Sequence, residues 1–176
     1  MQAPPPGGLG LRRTRRLLAT WWPALVLAAL VLTWVFAAEP IRVASSSMAP
    51  RLRDGDHVLV DKVTYRLRPP QAGEIVVMEP PGDEPLAVKR VVALGGSHVA
   101  LEDGVLVVDG VAQREPGLDL SGVDGVYFGP VPVPEGTVFV LGDNRGESVD
   151  SRSYGPVPLR DVVGRVVLGL WPPRRL

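Results

Sequence analysis

From Glu39 onwards the chain consists of short valine-rich runs separated by glycine, proline and aspartate. Apolar residues within these runs recur at every second position, which is the repeat of a β-strand with one buried face. No helical repeat of useful length occurs after residue 38. The pattern therefore predicts a mainly β, antiparallel domain. The predicted strands are His57–Val63, Glu74–Met78, Leu86–Leu94, Val99–Leu101, Val105–Val108, Thr137–Leu141 and Val162–Leu170.

Turn signals separate the predicted strands. Asp103-Gly104, between two apolar runs, is a strong signal for a tight hairpin turn, and Asp109-Gly110 marks another turn. Residues 114–136 are dense in glycine and proline. They predict a loop.

A run of 22 residues without a charged side chain, Leu17–Ala38, precedes the β-rich part. At about 1.5 Å per residue, such a helix can cross a hydrocarbon core about 30 Å thick. Four arginines lie just before it, and positive flanks remain in the cytoplasm. We predict a disordered cytoplasmic N-terminus at residues 1–16, a transmembrane helix at 17–38 and an external domain at 39–176. A cleaved secretory signal ending at Ala37 is the alternative, but signal-peptide apolar cores usually span only about 7–15 residues.

The formal net charge of zero conceals an asymmetry, because the first sixteen residues carry four arginines and no acidic residue. The remainder has fifteen basic against nineteen acidic side chains. This is not the basic footprint of a nucleic-acid-binding domain, so we expect no nucleic-acid partner. The chain has no cysteine, which excludes disulfides, thiol nucleophiles and cysteine-ligated metals.

Three consecutive serines, Ser45-Ser46-Ser47, begin seven residues beyond the uncharged run. A serine cluster is commonly a polar linker. A catalytic interpretation requires a base, because a serine hydroxyl must lose its proton as it attacks. Histidine is the usual base, but the two histidines, His57 and His98, occupy positions typical of surface residues.

Lys89 is one of only two lysines, against seventeen arginines. A lysine removed from water can have its pKa lowered by several units and act as a base, whereas arginine remains charged. Strand alternation places Lys89 on one face with Ala87, Val91 and Ala93. Either this apolar face desolvates a catalytic amine, or the side chain reaches solvent from an edge strand.

A long polar segment, residues 142–152, directly follows the strand Thr137–Leu141. It could be a solvated turn held by ion pairs, among them Asp150 with Arg152. Loops at strand ends are also where sites are assembled, and Ser148 could hold an amine in position by accepting its hydrogen bond.

Together, these segments resemble the signature boxes of type I signal peptidases. The four boxes read Ser47-Met48-Ala49-Pro50, Gly55-Asp56-His57-Val58-Leu59-Val60, Lys89-Arg90-Val91-Val92, and Gly142 through Arg152. Their order and their position after an apolar run also agree with that family, and the resemblance covers roughly residues 17–170. It implies a single-span serine endopeptidase with the β fold shared by SOS-repressor-like proteases.

The resemblance implies a role for each matching residue. Ser47 would be the nucleophile and Lys89 its general base. Ser45 would complete an oxyanion hole with the N–H of Ser47, and Ser148 would hold the lysine amine. The residues implied as scaffold are Arg90, Asp143, Arg145, Asp150 and Arg152. The residues expected to shape the substrate pockets are Val43, Ala44, Met48, Leu52, Ala87 and Val88.

The implied substrates are secretory preproteins whose apolar signal segment is followed by small residues at the first and third positions before the cut. The implied location is the outer surface of the cytoplasmic membrane, with the lipid bilayer as a further partner and no metal or cofactor. Only about fifty residues separate the Lys-Arg box from the Gly-Asp-Asn-Arg box. This spacing suggests a small inserted subdomain at about residues 95–136.

Two other functions remain open, together with the oligomeric state. A self-cleaving protease of the SOS-repressor type would share the serine and lysine pair. It would carry a DNA-binding domain and no membrane span, which is the reverse of this sequence. The second alternative is a non-catalytic, membrane-tethered β module in which the serines form a linker and Lys89 is structural.

Overall fold

The computed structural model describes residues 22–28, 37–82, 85–115, 118 and 125–173. The chain divides into two units, Met1–Ala37 and Ala38–Leu176. In the first unit, residues 22–28 form helix α1. The predicted N-terminus at 1–16 and most of the predicted span Leu17–Ala38 lie outside the described residues. Within the described part, no helix is long and apolar enough to cross a membrane.

The second unit contains two antiparallel sheets, which confirms the mainly β fold class. Its strands are β1 (Ala38–Arg42), β2 (His57–Asp61), β3 (Ile75–Met78), β4 (Ala87–Leu94), β5 (His98–Glu102), β6 (Val105–Val108), β7 (Val111–Ala112), β8 (Phe128–Pro132), β9 (Thr137–Leu141), β10 (Val157–Pro158) and β11 (Val162–Trp171). The larger sheet has the order β1-β2-β11-β3-β4-β9-β10 and the smaller has the order β7-β6-β5-β8. One-turn helices α2 (Thr64–Leu67) and α3 (Ser151–Tyr154) and a 3-10 turn (Leu159–Asp161) complete the elements.

All seven predicted strands occur, and their ends differ from the prediction by at most two residues. Four strands were missed, namely β1, β7, β8 and β10. The prediction of a loop throughout residues 114–136 is wrong, because β8 lies within it. Gly129, Pro130 and Pro132 obscure this strand in the sequence. Proline is tolerated there because β8 is an edge strand of the smaller sheet, where its missing N–H removes no essential ladder bond.

The two Asp-Gly pairs form the predicted turns. Asp103 and Asp109 both have φ of 52°, and the glycines that follow them also have positive φ. Two successive residues with positive φ are the requirement of a type I′ hairpin turn. These turns connect β5 to β6 and β6 to β7.

The smaller sheet shares a hydrophobic core with one end of the larger sheet. Val99 and Leu101 of β5 belong to the same buried cluster as Val92 of β4 and Phe139 of β9. The smaller sheet therefore packs against β4 and β9, the strands that precede and follow it in the chain. The predicted boundary of a subdomain at 95–136 stays a prediction.

Strand β4 has a register irregularity that matters for the site. It pairs with β3 with Val76 opposite Lys89, and its pairing with β9 shifts register between Val91 and Ala93. Val91 belongs to the cluster that contains Val76, but Ala93 belongs to the cluster shared with the smaller sheet. The predicted alternation therefore holds up to Val91 and is wrong at Ala93, because a bulge adds a residue to one strand.

Candidate active site

Lys89 lies in β4 of the larger sheet, with only 5% of its surface exposed. Its Nζ atom donates a hydrogen bond to Ser148 Oγ at 3.0 Å. Burial lowers the pKa of Lys89 and nearby Arg152 adds to this effect, while Asp150 opposes it. Burial dominates because an ammonium loses more solvation free energy than a neutral amine when water is excluded.

The loop that carries Ser148 begins where β9 ends at Leu141. Ser148 N donates to Asn144 O at 3.0 Å, and Arg152 Nη2 donates to Ser148 O at 3.2 Å. The backbone of Ser148 is therefore fixed on both sides. These bonds hold Ser148 where its hydroxyl accepts the hydrogen bond of the lysine amine.

Asp150 anchors the end of this loop. It is fully buried and caps α3 by accepting from Arg152 N. Its carboxylate also accepts from Gly142 N at 3.0 Å, and from Arg152 Nε at 2.8 Å and Nη2 at 2.9 Å. Burial opposes ionisation, but the hydrogen bonds from Arg152 and Gly142 outweigh it and the pKa of Asp150 is lowered. The carboxylate is thus charged, and its strongest partner is the guanidinium.

Ser47 lies in the irregular segment between β1 and β2 and is buried, with 8% exposed. Its Oγ lies 3.1 Å from the Oγ of Ser45. Its carbonyl oxygen accepts a hydrogen bond from Asn144 N at 3.0 Å. This bond fastens the Ser47 segment to the loop that also carries Ser148.

Gly142 lies where the Ser47 segment and Ser148 approach each other closely. A Cβ atom placed on Gly142 would lie 2.2 Å from Ser148 Oγ and 2.5 Å from the carbonyl oxygen of Ser47. Only a residue without a side chain fits between them. The sequence identified Gly142 as part of a box, but its role in close approach became visible only in the structure.

Ser47 and Lys89 are linked through the loop after β9, because Asn144 bonds to Ser47 and Ser148 bonds to Lys89. Among the described residues, Lys89 Nζ bonds to Ser148 and makes no hydrogen bond with Ser47 Oγ. Catalytic hydrogen bonds are often long before substrate binds and tighten in the complex. The structure thus connects the segment of the buried Ser47 hydroxyl to the loop that holds the Lys89 amine, whose pKa is lowered.

The remaining residues expected as scaffold form buried ion pairs. Asp143 is fully buried and accepts two hydrogen bonds from Arg90, at 2.7 Å from Nε and 2.6 Å from Nη2. Such a two-pronged contact orients both groups. Arg145 donates to the carbonyl of Gly142 at 3.0 Å and pairs with Glu115. These pairs tie the loop after β9 to β4 and to the residues that follow β7.

A sequence model described as signal peptidase, peptidase S26, matches residues 14–171 of the chain. The chain belongs to this family. A probable thylakoidal processing peptidase 2 from Arabidopsis thaliana is 40% identical over 79% of this chain and 40% of its own length. A probable signal peptidase I-1 from a Synechocystis species is 38% identical over 86% of this chain and 80% of its own length. The chain spans less than half the length of the Arabidopsis relatives that it matches.

Solved structures agree with the family assignment. A crystal structure of a signal peptidase I from Enterococcus faecalis V583 matches with a TM-score of 0.50 and 31% sequence identity. The match covers 56% of this chain and 97% of the Enterococcus chain. The signal peptidase fold is therefore shared by a large part of the chain.

A cavity of about 530 Å³ opens beside the buried lysine of this peptidase family member. Four of the six predicted pocket residues line it, namely Val43, Ala44, Ala87 and Val88. Met48 and Leu52 do not line it, because both are fully buried in the core cluster beneath that segment. Their prediction as pocket walls is corrected: they support the segment from inside.

One edge of β4 is free along this cavity. β9 pairs with β4 only from Arg90 onwards, whereas β3 pairs with β4 from Ala87. Among the described strands, residues 87–89 therefore have a neighbour on one side only. An extended peptide can add to such an edge through its backbone hydrogen bonds.

Sequence reasoning missed several residues that line this cavity. Val149 and Tyr154 both line the cavity. Tyr154 is the last residue of α3, and the sequence gave only its position two residues after Arg152 as a signal. Its contribution could not be inferred without knowing that α3 folds back beside β9.

Proposed function

We propose that this chain is a serine endopeptidase that removes signal peptides from secreted preproteins. The observation that carries the proposal is the buried Lys89 amine, held by Ser148 in the loop to which the Ser47 segment is fastened. A buried lysine whose pKa is lowered is a suitable base to take the proton of a serine.

The proposed reaction has two stages. Ser47 Oγ attacks the scissile carbonyl carbon while its proton moves to Lys89 Nζ. The peptide C–N bond then breaks, the leaving amine takes that proton, and an acyl ester on Ser47 remains. In the second stage water attacks the ester and gives its proton to the neutral amine. Transfer of that proton to Ser47 Oγ releases the acid product and regenerates the enzyme.

Negative charge on the carbonyl oxygen requires hydrogen-bond donors. Ser45 Oγ, 3.1 Å from Ser47 Oγ, and the backbone N–H of Ser47 are the proposed donors. Removal of one such donor commonly lowers kcat by about a hundred- to a thousandfold. Ser45 is therefore proposed as part of the oxyanion hole.

The cavity supports a substrate with small residues before the cut. A preprotein strand laid along the free edge of residues 87–89 would direct alternate side chains into it. The described walls are largely apolar, with Val43, Ala44 and Val88 among them. This arrangement agrees with small residues at the first and third positions before the cleaved bond.

A membrane location is proposed on the sequence alone. The four arginines followed by the uncharged run Leu17–Ala38 favour a single span with the N-terminus in the cytoplasm. The 39–176 domain would then lie at the outer face of the cytoplasmic membrane. We expect protease added to spheroplasts to digest this domain. Full protection of the domain in intact spheroplasts would contradict that topology.

Cleavage of a preprotein by the purified full-length chain tests the activity. We expect one discrete product, with mass spectrometry placing the cut after a small residue. Ser47→Ala should abolish the product, and the neighbouring Ser46→Ala should retain most of the rate because Ser46 is exposed. Cleavage by folded Ser47→Ala would contradict the assignment of Ser47 as the nucleophile. Absence of cleavage by the wild type would contradict the proposed peptidase activity.

A further inference from the structure

Glu147 is an exposed acidic side chain beside the segment that carries Ser47. Its Oε2 atom accepts hydrogen bonds from Asn144 Nδ2 at 3.0 Å and from Ser46 Oγ at 3.5 Å. Among the described residues, its Oε1 atom accepts no hydrogen bond and no cationic side chain forms an ion pair with the carboxylate. The proposed reaction does not use this charge.

The position of the carboxylate is fixed relative to the nucleophile. Asn144, which holds Glu147, also donates from its backbone N to Ser47 O at 3.0 Å and from Nδ2 to Ser46 O at 3.4 Å. Ser46 Oγ contacts the carboxylate directly, and Ser46 is the chain neighbour of Ser47. Covalent geometry therefore keeps Glu147 Oε2 within about 12 Å of Ser47 Oγ.

Glu147 lies outside the cavity in which the residues before the cut are proposed to bind. Residues 41–45 line that cavity, but Ser46 and Ser47 do not. In the loop after β9, Val149 lines the cavity and Glu147 does not. Both segments thus continue beyond the cavity to the point where Glu147 contacts Ser46.

The path of the substrate brings its other half near this charge. With the residues before the cut in the cavity and the cleaved bond at Ser47 Oγ, the residues after the cut continue past Ser47. Each residue of an extended peptide covers about 3.3 Å. Charges interact across about 8 Å at physiological ionic strength. The first residues after the cut are therefore close enough for their charge to interact with the Glu147 carboxylate.

We propose that Glu147 is a specificity-determining residue that favours a cationic side chain, and disfavours an acidic one, at the first positions after the cut. The inference rests on the proposed function and adds a charge preference in the part of the substrate that leaves as the mature protein. Attraction of lysine or arginine and repulsion of aspartate or glutamate both contribute, because specificity is a difference between two affinities.

The test measures kcat/KM for three preproteins that differ only in the first residue after the cut, which is lysine, glutamine or glutamate. The enzymes are the full-length wild type, Glu147→Gln and Glu147→Lys. We expect the wild type to favour the lysine substrate over the glutamate substrate by about two- to tenfold, as for exposed charge pairs. Glu147→Gln keeps an acceptor for Asn144 and should remove this preference, and Glu147→Lys should invert it.

Two controls separate this preference from a structural role of the side chain. Glu102→Lys makes the same change of net charge at an exposed position in β5, and should keep the wild-type ratio. In 1 M salt, charges interact across only about 3 Å, so the wild-type ratio should approach that of Glu147→Gln.

The outcomes distinguish the inference from the proposed function. An equal lysine-to-glutamate ratio in wild type and Glu147→Gln would show that the carboxylate only holds Asn144. That result, or a wild-type ratio that salt does not change, would overturn the inference and leave the proposed function intact. Failure of the wild type to cleave any of the three substrates would instead overturn the proposed function, and the inference with it.

Discussion

Lys89 Nζ lies 3.0 Å from Ser148 Oγ, although 59 positions separate the two residues in the chain. Lys89 belongs to β4, and Ser148 lies in the loop that follows β9. Pairing of β4 with β9 brings the lysine and this serine together, with Arg90 opposite Leu141 at the end of the ladder. The hydroxyl thus orients the amine through a bond that depends on the fold of the whole sheet.

Replacing Ser148 with alanine should lower the rate of cleavage by about ten- to a hundredfold, as expected for the loss of one buried hydrogen bond. The amine would keep its burial but lose its orientation. Ser153→Ala is the matched control, because Ser153 is exposed on α3. Single-turnover cleavage measures both variants. Equal rates for wild type and Ser148→Ala would show that Ser148 does not orient the amine.

The close approach at Gly142 gives a second prediction. Gly142→Ala should nearly abolish cleavage and lower the free energy of unfolding by about 1–3 kcal/mol, because the new Cβ collides with Ser148 and with the Ser47 carbonyl. Gly146→Ala is its control, since no heavy atom lies within 4 Å of a Cβ built there. Urea unfolding and the cleavage assay should separate the two variants. Identical behaviour of both would contradict the close packing.

The protonation of Lys89 predicts the pH dependence of acyl transfer. Only the neutral amine can accept the Ser47 proton, and burial lowers the pKa at which this form appears. As pH falls through that lowered pKa, the amine gains a proton and the single-turnover rate should fall. As pH rises, the rate should increase to a plateau. A rate that increases on acidification would exclude a neutral lysine as the base.

Stability in acid should depend on Glu74, which lies away from the site. Burial opposes its charge, but hydrogen bonds from Arg68, Arg165 and others lower its pKa to about 2. Its stabilising effect is therefore complete above the pKa of the unfolded chain and is lost as pH falls through about 2. Glu74→Gln should lower the Tm by several degrees at pH 7 and have little effect near pH 2.

Exposed Glu79 provides the control for that measurement. Glu79→Gln should leave the Tm close to wild type at both pH values, because surface substitutions rarely change stability much. An equal Tm loss in Glu74→Gln at pH 7 and near pH 2 would show that the effect does not come from the ionised carboxylate.

The β fold was predictable because period two and Asp-Gly turns are local signals, and all seven predicted strands occur. Strands β1, β8 and β10 were not predictable from such signals. Each contains proline, at Pro40, Pro130 and Pro158 among others. All three are edge strands, where tertiary pairing decides the structure and local propensity does not.

The candidate site was predictable as a set of residue types, but its geometry was not. Alternation placed Lys89 on an apolar face, and the resemblance connected it with Ser47 and Ser148. The bulge after Val91 and the approach of two segments to Gly142 depend on strand register and backbone distance. Neither leaves a periodic trace in the sequence, so Ala93 was misplaced. Tyr154 was missed because its position depends on the packing of α3 beside β9.

Cleavage of a preprotein by Lys89→Arg, beside Lys89→Ala, tests the central claim most directly. Arginine keeps the positive charge but cannot become neutral in a protein, so it cannot take the Ser47 proton. The account predicts that both variants, shown to be folded by circular dichroism, give no product above the Ser47→Ala background. Substantial cleavage by folded Lys89→Arg would contradict a serine and lysine mechanism.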